Sequence, residues 1–438
     1  MPVSVAIVGS GPAAFYTAAA LMDSGDDVCI DIIERLPTPY GLIRDGVAPD
    51  HQTTKNIANK FEKTAMREQV CYFGNVGVGR DVQLIELREI YDAVVLAIGS
   101  PEDRVLDIPG ADKTGVIGAA TFVRWYNGHP DFRDLAPDLN ISTAVVVGVG
   151  NVAMDVSRLL CLSAEELAAT DLPDFAEKAI LQSPIHDVYM IGRRGPTDAK
   201  FTNVELRELG DMAECVPQVR PEQLPGSVEG DYPDRDKRLR ERNLETLLQY
   251  SQAAIEGKPK RIHIEFLAAP VEILGGDRVE GIRMERTRVE AGRAITTGDF
   301  FDIPCGLVIP AIGYRGTPIA GAPFDDDRNI ISNEDGRVED GLYVAGWIKR
   351  GPFGVISSNR PDGVAVAGHI HDDFEGGHKA RNPGREALRE MLKERNIRSV
   401  SFDDWKKIDA AEIANAGGTR PRKKFVTIEA MLGVLDNS

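Results

Sequence analysis

The chain has 438 residues, 42% hydrophobic and 27% charged, too many for one ordinary core, so two or three domains are expected. A net charge of −17 speaks against nucleic acid as the main partner, because phosphate binding needs a basic footprint. No apolar run approaches the roughly 18–20 residues of a membrane span, and Cys29, Cys71, Cys161, Cys215 and Cys305 form no CxxC pair, which speaks against a redox dithiol, a resident iron–sulfur cluster or a disulfide framework.

The first strand begins by Val3, which leaves no room for a signal or transit peptide and gives the expectation of a cytoplasmic protein. Residues 3–34 read as a βαβ unit: strand Val3–Val8, a glycine turn, helix Ala13–Met22 and strand Val28–Ile33. Gly9, Gly11 and Ala14 stand at GxGxxA spacing, the pattern that lets backbone approach a pyrophosphate at a helix N-terminus. Glu34 closes the second strand. An acidic group there accepts from a ribose 2′-OH and repels a 2′-phosphate, which suits the adenosine half of FAD (or NAD).

Leu36–Asn56 is a Pro/Gly-rich connection too long for a turn, and it carries His51 near a helix start. Strands are expected over Val76–Val82 and Tyr91–Gly99, the latter ending in Ala97-Ile98-Gly99. Ser100–Gly110, which holds Arg104, reads as a linker and a domain boundary.

Thr143–Arg158 (TAVVVGVGNVAMDVSR) repeats the opening fingerprint, with Gly148, Gly150 and Ala153 at the same spacing. Strand Val188–Ile191 then ends in Gly192-Arg193-Arg194-Gly195, so arginines stand where the first unit has Glu34. Guanidinium forks match phosphate oxygens, and this second site prefers NADP. Two dinucleotide sites in one chain suggest a flavin nucleotide in one and a nicotinamide in the other. Cys161–Pro184 reads as extra helix.

Thr202–Glu205 has the spacing of a capping box, which gives Glu205 a structural role, while Glu208 one turn on is freer to face a ligand. Asp231–Leu247 reads as a helix carrying Lys237, Arg238, Arg240 and Arg242, a candidate docking patch for an acidic protein. Short antiparallel strands are expected at Ile262–Phe266, Pro270–Leu274 and Val279–Val289. Cys305–Gly313 ends in a second Ala-Ile-Gly and reads as the return to the first domain. Leu342–Pro352 presents an exposed Trp347 beside Lys349 and Arg350, suited to a flavin edge and its anionic side. Val364–His371 begins a helix, and Lys379–Arg395, Phe402–Lys407, Arg420–Lys424 and Val426–Leu435 read as helical and polar.

Four long motifs carry a resemblance over nearly the whole chain: YGLIRDGVAPDH (Tyr40–His51), GNVAMDVSR (Gly150–Arg158), GRRGP with FTNVELREL (Gly192–Leu209), and GWIKRGPFGVI (Gly346–Ile356). In these the chain resembles the adrenodoxin reductase-like family of ferredoxin–NADP reductases. The resemblance implies an α/β fold of two Rossmann-like nucleotide-binding domains, with an NADP domain (104–320) inserted into an FAD domain (1–103 and 321–438). It implies that Ala14, Glu34, Leu42 and Val78 contact FAD along with the fingerprint Gly9 and Gly11, and that Trp347, Gly354, Val355 and Ile356 lie along the isoalloxazine. It implies NADP(H) contacts from Arg104, Val149, Gly150, Asn151, Val152, Arg193, Arg194 and Glu205, and a redox centre near His51, Asp155 and Glu208. Thr197–Lys200 and the loop at Phe353 vary from the family pattern. The implied reaction passes hydride from NADPH to FAD and then single electrons to a ferredoxin-type iron–sulfur protein, with cytochrome P450 systems as one downstream user. A flavin monooxygenase or NADPH diaphorase shares both fingerprints; a thioredoxin-reductase type would need the absent CxxC, and a nucleotide-binding redox sensor would need no nicotinamide-side residues.

Overall fold

The computed structural model describes residues 2–25, 27–254, 257–375 and 381–436. The chain divides into two compact units, Met1–Glu102 with Tyr314–Ser438, and Asp103–Gly313. The second break therefore falls at Gly313/Tyr314 and not at 320.

In the first unit a six-stranded sheet has the order Arg337–Glu339, Leu342–Val344, Ala93–Leu96, Val3–Val8, Val28–Ile33, Val70–Phe73. Every pairing is parallel except the first, and the central strands are nearly continuous apolar runs because both faces are covered. The strand expected over Val76–Val82 is instead a loop with a single bridge, Val78 to Val82. Gly79 has a left-handed φ of +93°, and the Gly77 N–H donates to the Asp81 carboxylate at 2.7 Å, which turns the chain. The edge strand is Val70–Phe73, four residues too few for periodicity to reveal.

The C-terminal part of this unit secures the loop after the second strand. Helix Phe402–Asn415 starts on a Ser401/Asp404 capping box and sets Trp405 edge-on to Tyr40, 6.1 Å between centroids. The Arg44 guanidinium lies 5.3 Å from the Trp405 ring and makes a bidentate pair with buried Glu412, at 2.9 and 2.6 Å. Arg420–Lys424 is irregular, not helical. The N–H groups of Lys423 and Phe425 both turn to Glu412, to its carbonyl and its carboxylate, each at 2.9 Å. The helix expected from Lys379 spans Arg385–Glu394, after Pro383-Gly384; Lys379 itself lies outside the described residues.

The second unit holds a five-stranded parallel sheet in the order Leu307–Pro310, Thr143–Val147, Asp187–Ile191, Lys260–Glu265, Cys215–Val219. Lys260–Glu265 is thus a parallel interior strand and not part of an antiparallel set. Helix Asp234–Ser251 makes the crossover that returns the chain in the same direction. Pro217 hides the Cys215–Val219 strand in the sequence, and it is tolerated because that strand is the sheet edge. Ala268–Leu274, Gly281–Glu290 and Arg293–Pro304 form a separate antiparallel sheet. Leu307–Pro310 pairs with Thr143–Val147, so the segment ending in the second Ala-Ile-Gly completes this unit's own sheet.

Glu412→Ala strands the buried Arg44 cation without its partner. A loss of about 3–5 kcal/mol is expected in urea unfolding; an unchanged urea midpoint would show that the pair is dispensable.

Candidate active site

In the first unit, strand Val3–Val8 delivers Gly9 at φ +100°, where an added Cβ would sit 2.5 Å from the Ala97 carbonyl oxygen. Only glycine allows that approach. Gly11 begins helix Pro12–Asp23 with no side-chain cap and no acidic residue in the first turn, and a Cβ there would meet nothing within 4 Å. The helix therefore offers unpaired N–H groups and its positive end to open space. Ala14 is fully buried under the helix, against the sheet.

Around this turn, Ser10 donates to Glu34 from its N–H (3.1 Å) and its hydroxyl (2.7 Å), and the Leu36 N–H donates to the same carboxylate at 3.1 Å. Three of about four acceptor positions are filled, which leaves room for one more donor. Burial pushes the Glu34 carboxyl up from its ordinary range, against these hydrogen bonds. Gly41 approaches Gly11 so closely that its Cβ would lie 3.2 Å from the Gly11 Cα, and the Tyr40 N–H reaches the Ser10 carbonyl at 3.0 Å. Leu42 opens the short helix that carries Arg44, and Val78 sits in the bridged loop. Gly346 packs against Ala13, where its Cβ would be 2.6 Å from the Ala13 Cβ. Trp347 follows at once. It is half-buried, not exposed, and leans on Tyr314 with centroids 5.7 Å apart. Gly354 adopts φ +89°, Val355 is exposed, and Ile356 begins a single helical turn.

Three buried polar atoms here have no protein partner among the described residues: Trp347 Nε1, Thr38 Oγ1 and Ser100 Oγ. Orphans of this kind call for a ligand or water, and with the uncapped helix they fit a dinucleotide such as FAD. Lys349 and Arg350 are not available to a flavin. Lys349 is buried and reaches Asp335 at 2.8 Å and Asp362 at 3.3 Å, and Arg350 pairs with Asp362. His51 is the half-buried residue before the short helix Gln52–Lys55, its N–H held by the Ala48 carbonyl at 3.0 Å.

The second unit repeats the construction. Gly148, at φ +147°, would place a Cβ 2.4 Å from the Ala311 carbonyl oxygen; Gly150, at the N-terminus of helix Asn151–Leu159, would meet nothing within 4 Å. That helix too lacks a side-chain cap and an acidic first turn. Val149 packs over Gly192 and gives its carbonyl to the Lys200 N–H at 3.0 Å, while Val152 is half-buried. The Arg104 N–H donates to the Gly313 carbonyl at 3.2 Å, just past Ala311. Arg193 is exposed, and Arg194 lies 3.4 Å from Asp198.

The capping box at Thr202 forms by half. Its hydroxyl accepts from the Glu205 N–H at 3.3 Å, but the Thr202 N–H goes to Asn151 Oδ1 at 3.0 Å, so the Glu205 carboxylate is not the reciprocal cap. Glu208 is not loose either. Buried Arg158 binds it through one guanidinium nitrogen and Asp155 through the other, at 2.9 Å for Asp155. Arg158 thus gathers the two carboxylates of the second unit. It was missed in the sequence, although an aspartate and an arginine three apart on one helix face were the signal.

The residues 3–177 match the family model described as pyridine nucleotide-disulphide oxidoreductase. The chain is 42% identical over 450 residues to human mitochondrial NADPH:adrenodoxin oxidoreductase, covering 98% of this chain and 91% of that protein. It is 40% identical over 446 residues to the NADPH-ferredoxin reductase FprA of Mycobacterium leprae, covering 98% of each. The chain belongs to the adrenodoxin reductase-like family of ferredoxin–NADP reductases. The solved structure of Mycobacterium tuberculosis FprA in complex with NADPH superposes with a TM-score of 0.92 at 39% identity, over 99% of both chains. As in the sequence comparison, the likeness of this reductase to its relatives runs across both units.

The turn glycines separate packing from ligand space. Gly148→Ala, forced against a carbonyl at positive φ, is expected to lower stability by about 1–3 kcal/mol. Gly150→Ala, facing open space, is expected to stay within about 0.5 kcal/mol of the parent. Equal losses in urea titrations would contradict this division.

Proposed function

We propose that the protein is an FAD-dependent NADPH:ferredoxin oxidoreductase, which takes hydride from NADPH and passes single electrons to a ferredoxin-type iron–sulfur protein. The observation that carries this reading is the paired uncapped fingerprint helix, with Glu34 at the strand end in one unit and Arg193-Arg194 in the other. FAD and NADP(H) are its cofactors. Bound FAD supplies the conversion of a two-electron donor into one-electron steps.

The chain's own residues do the rest in this account. Gly9, Gly11 and Ala14 bring the first helix end to the FAD pyrophosphate, and Glu34 uses its remaining acceptor position for a ribose hydroxyl. Leu42, Val78, Trp347, Gly354, Val355 and Ile356 shape the flavin pocket, where the partnerless Trp347 N–H is a ready donor. On the nicotinamide nucleotide, Val149, Gly150, Asn151 and Val152 receive the pyrophosphate, and Arg104, Arg193, Arg194 and Glu205 complete the pocket. Asp155 and Glu208 are held by Arg158. His51 is assigned to hold or move a proton at its imidazole, or to orient the nicotinamide side.

The docking surface for the ferredoxin is assigned to helix Asp234–Ser251. Lys237, Arg238 and Arg242 are exposed there, whereas Arg240 folds over the Tyr232 ring at 4.1 Å. Asp234, Asp236, Glu241 and Glu245 interleave with them, so the helix carries both signs and not a uniform positive field. A cytoplasmic location belongs to the same reading, although the human relative is mitochondrial; fractionation of the source cells decides it. No helix among the described residues is long and apolar enough to cross a membrane.

Arg193→Ala is expected to raise the KM for NADPH roughly tenfold to a hundredfold, at about 1.5–3 kcal/mol per charged hydrogen bond, with little change in kcat. An unchanged NADPH/NADH preference would remove the 2′-phosphate assignment. Reversing Arg238 and Arg242 to Glu is expected to raise the KM for ferredoxin and to flatten the fall of that rate with salt, while reduction of ferricyanide is unaffected. Equal effects on both acceptors would place docking elsewhere.

A further inference from the structure

The two arginines of GRRGP are held from behind by a distant part of the second unit. The Arg193 carbonyl accepts from the Thr287 hydroxyl at 2.7 Å, and the Arg194 carbonyl accepts from the Leu267 N–H at 3.3 Å. The Leu267 carbonyl in turn accepts from the Thr287 N–H at 2.9 Å, which closes a ring of three hydrogen bonds. Leu267 reaches this arrangement at φ +55°, a conformation that a bulky side chain rarely adopts. Thr287 is buried and stands where the register of Gly281–Glu290 against its neighbour shifts. Just before the arginines, the Gly192 N–H donates to the Glu265 carbonyl at 2.7 Å and its carbonyl accepts from the Ala268 N–H at 3.2 Å. The backbone of Gly192, Arg193 and Arg194 is therefore gripped at four points by residues 265–268 and 287.

Arg193 needs that grip. It is exposed and stands two residues past the end of its strand, after Gly192, so backbone orientation decides where its guanidinium can reach. A carbonyl flipped away from Thr287 rotates the peptide plane and moves the side-chain origin with it. A strained left-handed leucine persists only when its surroundings over-determine it, and here its N–H holds the Arg194 carbonyl while its carbonyl holds the Thr287 N–H.

We propose that Thr287 is a positioning residue for coenzyme choice: its hydroxyl, together with the Leu267 N–H, fixes the Arg193-Arg194 backbone so that both guanidinium groups meet the 2′-phosphate of NADPH. This rests on the assignment of those arginines to the 2′-phosphate. NADH lacks that group, so the clamp acts on NADPH alone. Thr287→Val removes the hydroxyl at nearly constant shape, and Thr287→Ser keeps it.

The experiment is steady-state ferredoxin reduction by the FAD-loaded enzyme with NADPH and with NADH, for Thr287→Val, Thr287→Ser and Arg193→Ala, with urea midpoints taken on the same samples. The expected result is a rise of about three- to tenfold in the NADPH KM of Thr287→Val, the worth of one hydrogen bond. Its kcat and NADH KM stay at the parent values, and Thr287→Ser returns the NADPH KM to within about twofold. An unchanged NADPH KM in Thr287→Val overturns the proposal, as does an equal rise for both coenzymes, which would mark Thr287 as structural only. If Thr287→Val does not fold, failure of Thr287→Ser to keep the parent's coenzyme preference overturns it. If Arg193→Ala lowers the preference and Thr287→Val does not, only the positioning role fails; if Arg193→Ala leaves the preference intact, the phosphate assignment fails and takes the positioning role with it.

Discussion

Each unit is built around one contact: the first glycine of its fingerprint pressed against the carbonyl of the alanine in an Ala-Ile-Gly strand end. Gly9 meets Ala97 and Gly148 meets Ala311, with an added Cβ reaching 2.5 and 2.4 Å from the respective oxygens. The contact sets the exit of the first strand beside that of its neighbour, and the helix that follows starts in open space with its first N–H groups unpaired. A side chain at either glycine would separate the strand ends and spoil the helix start. The fold and the nucleotide site are in this sense one constraint, satisfied twice in a chain whose second unit is inserted between the halves of the first.

The charges follow from the same frame. After the second strand, the first unit presents Glu34, loaded with hydrogen bonds from Ser10 and Leu36, and the second presents Arg193 and Arg194. Elsewhere cations are consumed internally. Arg44 is spent on Glu412, Arg158 on Asp155 and Glu208, and Lys349 on Asp335 and Asp362. Arg193 keeps its charge exposed on a gripped backbone, and Arg194 beside it lies 3.4 Å from Asp198.

Much of this was legible because glycine spacing, β-branched runs and the residue after the second strand report local geometry directly. Strands Val3–Val8 and Val28–Ile33 and the strand at Gly281–Glu290 could be read to within a few residues, whereas its hairpin partner Arg293–Pro304 was not read. What failed depended on tertiary context. Val76–Val82 has strand composition, but Gly77 and Gly79 turn it, and the true edge strand Val70–Phe73 is too short to show a period. Cys215–Val219 carries a proline that only an edge strand tolerates, and the direction of Lys260–Glu265 depends on a helical crossover. Lys349 and Arg350 looked like flavin partners because their carboxylates lie 14 residues or fewer away in sequence but in separate elements. The helix Phe402–Asn415 holds the loop of Tyr40 and Arg44 through Trp405 and Glu412.

The central claim is that one chain takes electrons from NADPH onto a flavin and passes them to a ferredoxin. The most direct measurement is anaerobic stopped-flow spectroscopy of the purified, FAD-loaded protein, mixed first with NADPH and then with an oxidised ferredoxin. The account predicts a yellow protein whose visible absorbance bleaches within the turnover time and returns as the ferredoxin is reduced, one electron at a time. A protein that takes up no FAD, or a flavin that NADPH leaves unbleached, would contradict it.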